Sequence, residues 1–361
     1  MTDTTAATGL KVQQWDRKFF TEALNAHIFK PFMGTGTNSL IQVKEDLTKK
    51  PGDSVTYSLI NRLSGTSFQD GAVLEGNEED MVSRSHKVTM HQERNGVRVA
   101  AYEEQISAIS LRNGAKDTLM DWSMELWRDR CIEVLGDING VEYSIATPTQ
   151  RNVWLVDNTD RVIFGDGSIG AGAVHATDMT AITAGMTLDS TLISLMKRKA
   201  KTASPRIRPL KPREGARRSD SFVLFADSRS MRDLKTDASF ITYQSEARKR
   251  GKDNPIFSGA DYIWDNVAIY EVEDIATLGT VGAGGTVAVS PIYMCGAQAL
   301  GHAWAKRPRS VEETFDYGDK KGCAVEQWYG IEKLQFGSGA TDVADLKDHG
   351  VFTAYVAAAA D

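Results

Sequence analysis

The stretch from Glu103 to Asp137 constrains this chain most, because its helical pattern is longer than a compact domain needs. Apolar residues recur there at intervals of four and three residues, and they are Met120, Met124, Trp127, Cys131 and Val134. Gly114 marks a candidate break or bend near the start. A helix of about 23 to 34 residues rises roughly 35 to 50 Å. We therefore predict a spine helix that crosses two lobes.

The segment before this helix has the two-residue period of β-strands. Apolar and polar residues alternate in Ser54–Ile60, and similar strands are predicted at His86–Met90 and Gly96–Ala101. Between the first two strands, the link of residues 65–80 is rich in glycine and contains five acidic residues and no basic one; the acidic residues are Asp70, Glu75, Glu78, Glu79 and Asp80. This pattern predicts a long two-stranded ribbon with an acidic tip. Since an isolated ribbon is marginally stable in water, we expect it to dock on a neighbouring subunit.

An amphipathic segment near the N-terminus is the second candidate contact. Its apolar residues follow a helical spacing until Pro31 ends the helix, and they are Trp15, Phe19, Phe20, Leu24 and Ile28. A terminal arm has few neighbours of its own, so a second chain is predicted to cover this face.

A basic tract from Lys197 to Arg218 is the third candidate contact, with ten Lys or Arg residues against one Glu. Prolines make its second half an extended arm, whose charged residues are Arg206, Arg208, Lys211, Arg213, Arg217 and Arg218. Three interpretations stay open: a solvated arm, a partner for the acidic ribbon of another subunit, and non-specific contact with nucleic-acid phosphates. The first two are favoured, because the tract contains few aromatic residues and the net charge is −6.

Composition bounds the protein class. At 361 residues the chain exceeds the usual size of one hydrophobic core, so two lobes are expected. Helical and strand patterns are interspersed, which predicts an α+β fold. Three widely spaced cysteines, no signal pattern and no long apolar run favour a protein made in the cytoplasm, with no membrane partner.

No sequence pattern supports an enzyme. Gly165–Gly170 matches the glycine spacing of a dinucleotide loop, but no amphipathic helix follows it, so a surface loop is favoured. The six histidines do not cluster, and the acidic link is better explained as solvated than as a cation site. We expect no catalytic residues, no cofactor and no metal.

Four long segments, in their order along the chain, carry a family resemblance. They begin at KKPGDSVTYSLINRLSG with the helix after it, continue through VDNTDRVIFGDGS and through IRPLKPREGARRSDSFVLFA to DNPIFSGADYIWDNVAIYEVED, and end with MCGAQALGHAWAKRP and EQWYGIEKLQFG. Together they resemble the major capsid proteins of tailed bacteriophages, in the version found in short-tailed, podovirus-type phages.

The resemblance implies the HK-97-like capsid fold and a division of the chain. An N-terminal arm is expected at 1–48, an extended β-ribbon (the E-loop) at 49–101, and a peripheral domain with the spine helix at 102–190. An axial domain is expected at 191–300, and 301–361 returns to the peripheral domain and ends in a tail.

The resemblance also implies a function in assembly. Such subunits form hexamers and pentamers of an icosahedral head around double-stranded DNA, by way of a procapsid built in the host cytoplasm. Expected partners are a scaffolding protein, a portal, a possible decoration protein and the packaged DNA. No lysine–asparagine crosslink pair can be assigned. The alternative is an encapsulin-type nanocompartment, which has the same fold and encloses a cargo enzyme.

Overall fold

The computed structural model describes residues 28–45, 52–61, 63, 67, 75, 78–107, 111–210, 221–247 and 261–358. The strands are β1 (Met33–Gly34), β2 (Ile41–Lys44), β3 (Ser54–Ile60), β4 (Ser83–Thr89), β5 (His91–Ala100), β6 (Val162–Phe164), β7 (Phe222–Ala226), β8 (Tyr262–Trp264), β9 (Val267–Glu271), β10 (Val289–Cys295), β11 (Leu300–Phe315), β12 (Lys320–Lys333), β13 (Gln335–Gly337), β14 (Leu346–Asp348) and β15 (Val351–Ala357). The α-helices are α1 (Ala101–Ile106), α2 (Leu111–Gly136), α3 (Pro148–Asp157), α4 (His175–Thr180), α5 (Ser190–Thr202), α6 (Ser228–Leu234) and α7 (Ala238–Ala247).

A six-stranded mixed sheet forms the main core, with strand order β6-β15-β10-β7-β9-β8. Its central strands are continuous apolar runs, as expected for a sheet covered on both faces. In β7, Val223 and Phe225 belong to the core on one face, whereas Phe222 and Leu224 belong to the core on the other. Helices α6 and α7 follow β7 and contribute Met231, Leu234 and Phe240 to the second of these cores.

The second large sheet has five strands, in the order β1-β2-β11-β12-β5. Its centre is a long antiparallel hairpin of β11 and β12, with Leu300 opposite Lys333 at one end and Phe315 opposite Lys320 at the other. Strand β5 pairs with β12 along its whole length. The strand predicted at Gly96–Ala101 is therefore part of this sheet and not of the ribbon.

The spine is formed by two helices rather than by one. Helix α1 ends at Ile106, and α2 has 26 residues, so α2 alone rises about 39 Å. Gly114 lies inside α2, so the break near the start of the spine is not at Gly114 but after Ile106. Helix α2 packs against β12, β5 and β10, so it crosses from one sheet to the other.

The buried face of α2 is rotated slightly from the predicted stripe. Its centre is a row with four-residue spacing, Leu119, Ser123, Trp127 and Cys131. Met120 and Met124 are only half-buried, at the border of this face. The prediction omitted Ser123 because a hydroxyl side chain carries no apolar signal, and it shifted the face towards the two methionines.

Candidate assembly surfaces

The ribbon is a separate two-stranded sheet of β3 and β4, with Ser54 opposite Thr89 and Ile60 opposite Ser83. Its base is rooted in the body by a small apolar cluster composed of Val55, Tyr57, Val88, Ala303, Leu334 and Phe336. The Tyr57 hydroxyl lies 2.8 Å from the carbonyl oxygen of His302 and 3.0 Å from that of Gln42, so it donates to strands of the five-stranded sheet. Strand alternation at the base was therefore predicted correctly, with its apolar side facing the body.

Polar contacts hold the second strand of the ribbon. The Ser85 hydroxyl donates to Asp342 Oδ2 at 2.6 Å, and the backbone N–H of Thr89 donates to Glu332 Oε1 at 2.7 Å. The other carboxylate oxygen of Glu332 lies 3.2 Å from His86 Nε2. These partners come from β12 and from the loop after β13, so they fix the direction in which the ribbon leaves the body.

The far part of the ribbon carries both charge and apolar surface. Glu75, Glu78, Glu79 and Asp80 are exposed, whereas Asp70 lies outside the described residues. Large apolar side chains are exposed beside them, namely Ile60 (64%), Leu63 (57%), Met81 (68%) and Val82 (42%). Sequence reasoning missed these four residues. The signal that could have revealed them is the Met81–Val82 pair directly after the acidic triplet.

The basic tract is divided between a helix and a loop. Lys197 to Lys201 lie in α5, where Lys197 Nζ contacts Asp265 Oδ1 at 2.7 Å. Arg206 and Arg208 are exposed in the following segment, and Arg208 donates to Gln298 Oε1 at 3.2 Å and to the Thr37 carbonyl at 3.3 Å. Lys211, Arg213, Arg217 and Arg218 lie outside the described residues.

The N-terminal candidates Trp15, Phe19, Phe20 and Leu24 also lie outside the described residues. The description begins at Ile28, and the next residue, Phe29, is fully buried with its ring 5.1 Å from that of Phe225. The chain therefore enters the body beside the core of the six-stranded sheet.

Two buried histidines and the half-buried Asp137 have pKa values that burial shifts in different directions. Burial lowers the pKa of His175 to about 4 and that of His349 to about 4, because the protonated ring is poorly solvated inside the protein. Burial raises the pKa of Asp137 to about 6, while nearby Lys333 opposes that shift. His175 lies among the rings of Tyr143, Phe164 and Tyr355, so its surroundings are those of a core residue.

The glycine loop does not have the geometry of a dinucleotide site. The next helix begins at His175 and not at Gly170, so no helix N-terminus is aimed at the loop. A Cβ at Gly165 would lie 2.5 Å from Met186 Sδ, so the loop is packed against the protein. Within the described ranges, no group of acidic, histidine or cysteine side chains is arranged to hold a metal ion. In the same ranges, no helix is both long and apolar enough to cross a membrane.

The chain combines two sheets, a helix that contacts both of them and a two-stranded ribbon, and the comparisons with known proteins identify its family. A family model described as phage capsid protein matches residues 3–360. The major capsid protein of Pseudomonas phage KPP25 is 30% identical over 364 residues, which covers 95% of this chain and 94% of that protein.

Solved capsid structures agree with this family assignment. A subunit of the cyanophage Pam1 capsid is 29% identical and superimposes with a TM-score of 0.82 over 100% of both chains. A subunit of the capsid of Ralstonia phage GP4 has the same fold, with a TM-score of 0.74 over 92% of both chains and 23% identity.

The chain belongs to the phage capsid protein family. It is a tailed-phage major capsid protein with the HK-97-like α+β fold, and it assembles with copies of itself into the virion capsid. Its role is structural and not enzymatic. The comparisons thus favour a phage head over the nanocompartment alternative.

Proposed function

We propose that the far part of the ribbon is the main contact between copies of this chain in the head. The observation that carries this proposal is the combination of exposed carboxylates at Glu78, Glu79 and Asp80 with exposed Ile60, Leu63 and Met81, beyond a base that is firmly held. Contiguous exposed apolar surface is typical of protein interaction sites. The apolar residues bury area on assembly, and the carboxylates fix the register.

The basic tract supplies the complementary charge in this proposal. Arg206 and Arg208 are exposed, and Lys211, Arg213, Arg217 and Arg218 follow them in the sequence. Complementary patches steer encounter and exclude wrong pairings. The same tract makes non-specific contact with packaged double-stranded DNA if it lines the inner surface of the shell.

A charge-reversal experiment tests the ribbon contact. Glu78→Lys, Glu79→Lys and Asp80→Lys together are expected to leave the subunit folded, with an unchanged circular dichroism spectrum, while shells disappear in negative-stain microscopy. Reversing Arg213, Arg217 and Arg218 to Glu in the same chain is expected to restore shells. Normal shells from the triple variant alone would refute the docking role, and failed rescue would refute the basic tract as its partner.

The domain layout is also a proposal. We assign the arm to 1–48, the E-loop to 49–101, the axial domain to 191–300 and the peripheral domain to 102–190 with 301–361. The separate β3–β4 sheet supports the ribbon assignment, and the β7–β10 strands support the axial one. The sheets cross these limits, because β2 and β5 join the five-stranded sheet and β6 and β15 join the six-stranded one.

Partners beyond the shell itself complete the proposal. We infer assembly as hexamers and pentamers through a procapsid with a separate scaffolding protein, followed by a portal, a possible decoration protein and a short-tailed, podovirus-type particle. The order of the four resembling segments supports this inference. Co-expression with the neighbouring gene products, followed by microscopy, tests it. Uniform shells of correct size from this chain alone would refute the scaffold requirement.

A further inference from the structure

A groove runs along the spine helix where the described chain begins. It has a volume of about 430 Å³ and lies between one face of α2 and the end of β9. Its apolar floor is formed by Ile28, Met124 and Val272. Next to it, a wider cavity of about 800 Å³ is lined by the following turns of α2 and by residues 274–278. The two cavities share Asp274 as a lining residue.

The walls of the groove are acidic. Among the described residues that line it, Asp121, Glu125, Glu271, Glu273 and Asp274 contribute carboxylates, and Arg128 contributes the one cation. Arg128 Nε lies 3.0 Å from Asp274 Oδ2 and bridges the two walls. Within the described part of the chain, Asp121, Glu125 and Glu273 form no ion pair. An occupant that is apolar on one side and cationic at its flank fits this groove.

Residues 1–27 of the same chain have these properties. Phe20 and Leu24 precede Ile28 at four-residue intervals, so a helix places all three on one stripe, and the structure puts the last of them in the groove. Phe29 is fully buried immediately after it, which fixes where the segment enters. Arg17 and Lys18 supply cations about 15 Å before Ile28 along such a helix.

We propose that residues 17–27 dock as a helix in the acidic groove along α2 of their own chain. Phe20 and Leu24 continue the stripe of Ile28 onto Met124 and Val272, and Arg17 and Lys18 face the unpaired carboxylates. Trp15 and Phe19 form a second pair at four-residue spacing, rotated by about 100°. That pair remains available to a second copy, so the arm has one internal face and one external face.

Disulfide trapping tests the docking. The native cysteines Cys131, Cys295 and Cys323 are all buried, so they do not compete. Leu24→Cys with Met124→Cys is expected to give an internal disulfide in the unassembled full-length chain, seen as a linked peptide in a monomer band. The matched control is Glu22→Cys with Met124→Cys, because residues two apart lie on nearly opposite sides of a helix. The control pair is expected to give a disulfide yield about tenfold lower, which is the ratio that the loss of one apolar contact produces.

Three results would overturn the proposal. Linked peptides found in dimers would show that a neighbour's arm occupies the groove. Equal disulfide yields for Leu24→Cys and Glu22→Cys would contradict the helical stripe. Absence of the disulfide with Leu24→Cys would contradict the docking. This inference rests on the proposed role of the N-terminal arm as a contact segment of the shell. Because the test uses the unassembled chain, its failure is distinguishable from a failure of shell formation.

Proteolysis gives an independent readout. Trypsin is expected to cut slowly after Arg17 and Lys18 in the native chain, and the Lys30–Pro31 bond resists it. Met124→Asp adds a charge to the groove floor and is expected to accelerate that cleavage about tenfold. Val153→Asp, at a 51% exposed side chain of α3 that does not line the groove, is expected to leave the rate unchanged. Equal rates in the two variants, at unchanged circular dichroism, would contradict the docking.

Discussion

The six-stranded sheet buries its apolar side chains within the chain, whereas the β3–β4 ribbon leaves apolar side chains exposed at its far end. Strands β7, β10 and β15 are buried at every position, whereas β3 is buried only near its base and ends at Ile60, which is 64% exposed. The sheet finds both of its covering layers inside the chain. A two-stranded ribbon does not reach stability by itself. We infer that one chain completes its own core but leaves the far ribbon to be covered by other copies.

The largest expected effect comes from breaking the sheet. Phe225 is fully buried and its ring packs against those of Phe29, Phe32 and Tyr270. Phe225→Ala removes a large core side chain and is expected to lower the free energy of unfolding by about 3–5 kcal/mol. Chemical denaturation of the unassembled subunit measures this loss. A loss below about 1 kcal/mol would mean that the sheet is not the stability core.

The next largest effect is a pH dependence of the free energy of unfolding, caused by the buried side chain of His175. The pKa of His175 is lowered from 6.5 to about 4, so the folded chain excludes a proton that the unfolded chain binds. Stability is therefore expected to fall as pH decreases from 6.5 to 4, by about 3 kcal/mol from this group. Asp137, with its pKa raised to about 6, acts in the opposite direction over part of this range.

Comparison with a variant isolates the histidine. His175→Phe keeps an aromatic ring among Tyr143, Phe164 and Tyr355 and removes the titration. Thermal melts at pH 7 and pH 4.5 are expected to differ less in the variant than in the native chain. The remaining acid dependence includes His349, whose pKa is lowered in the same direction. An equal pH dependence in the two proteins would assign the acid sensitivity to other groups.

A smaller effect is expected at the root of the ribbon. Tyr57→Phe removes the hydroxyl that reaches the carbonyls of Gln42 and His302, and it is expected to cost about 1 kcal/mol. Because the apolar cluster at the base stays in place, the cost is expected to be local. Hydrogen exchange of β3 and β4 amides is expected to accelerate, while amides of β10 keep their rates. Uniform acceleration would show that the ribbon and the sheet open as one unit.

Sequence patterns predicted the elements whose apolar residues follow a regular spacing within one short segment. The alternation of apolar and polar residues in β3 identified this strand, because the environment of its side chains repeats every two residues. The assignment of β5 to the ribbon was wrong, since its pairing with β12 joins residues more than two hundred positions apart. Long-range pairing of this kind leaves no local signal in the sequence.

The proposed contact residues also divide into those that a local sequence signal predicted and those that it did not. The acidic triplet at Glu78–Asp80 was visible as a charge run, and its exposure agrees with that expectation. Exposed Ile60 and Met81 were missed, because an apolar residue near a strand end is normally assigned to a core. The break between α1 and α2 was predicted at Gly114 but lies after Ile106, because the apolar spacing of the sequence continues towards Asp137 without marking that position.

The smallest change in subunit stability is expected at the far ribbon. Ile60→Ser with Met81→Ser alters side chains that are 64% and 68% exposed, so the free energy of unfolding is expected to stay within about 0.5 kcal/mol of the native value. Shell yield is nevertheless expected to fall sharply, because these residues are proposed to be buried only between copies. Val153→Ser, on a 51% exposed side chain of α3, is the control and is expected to assemble normally. If the double variant lost stability instead, the ribbon would already be covered within its own chain, and its contrast with the six-stranded sheet would disappear.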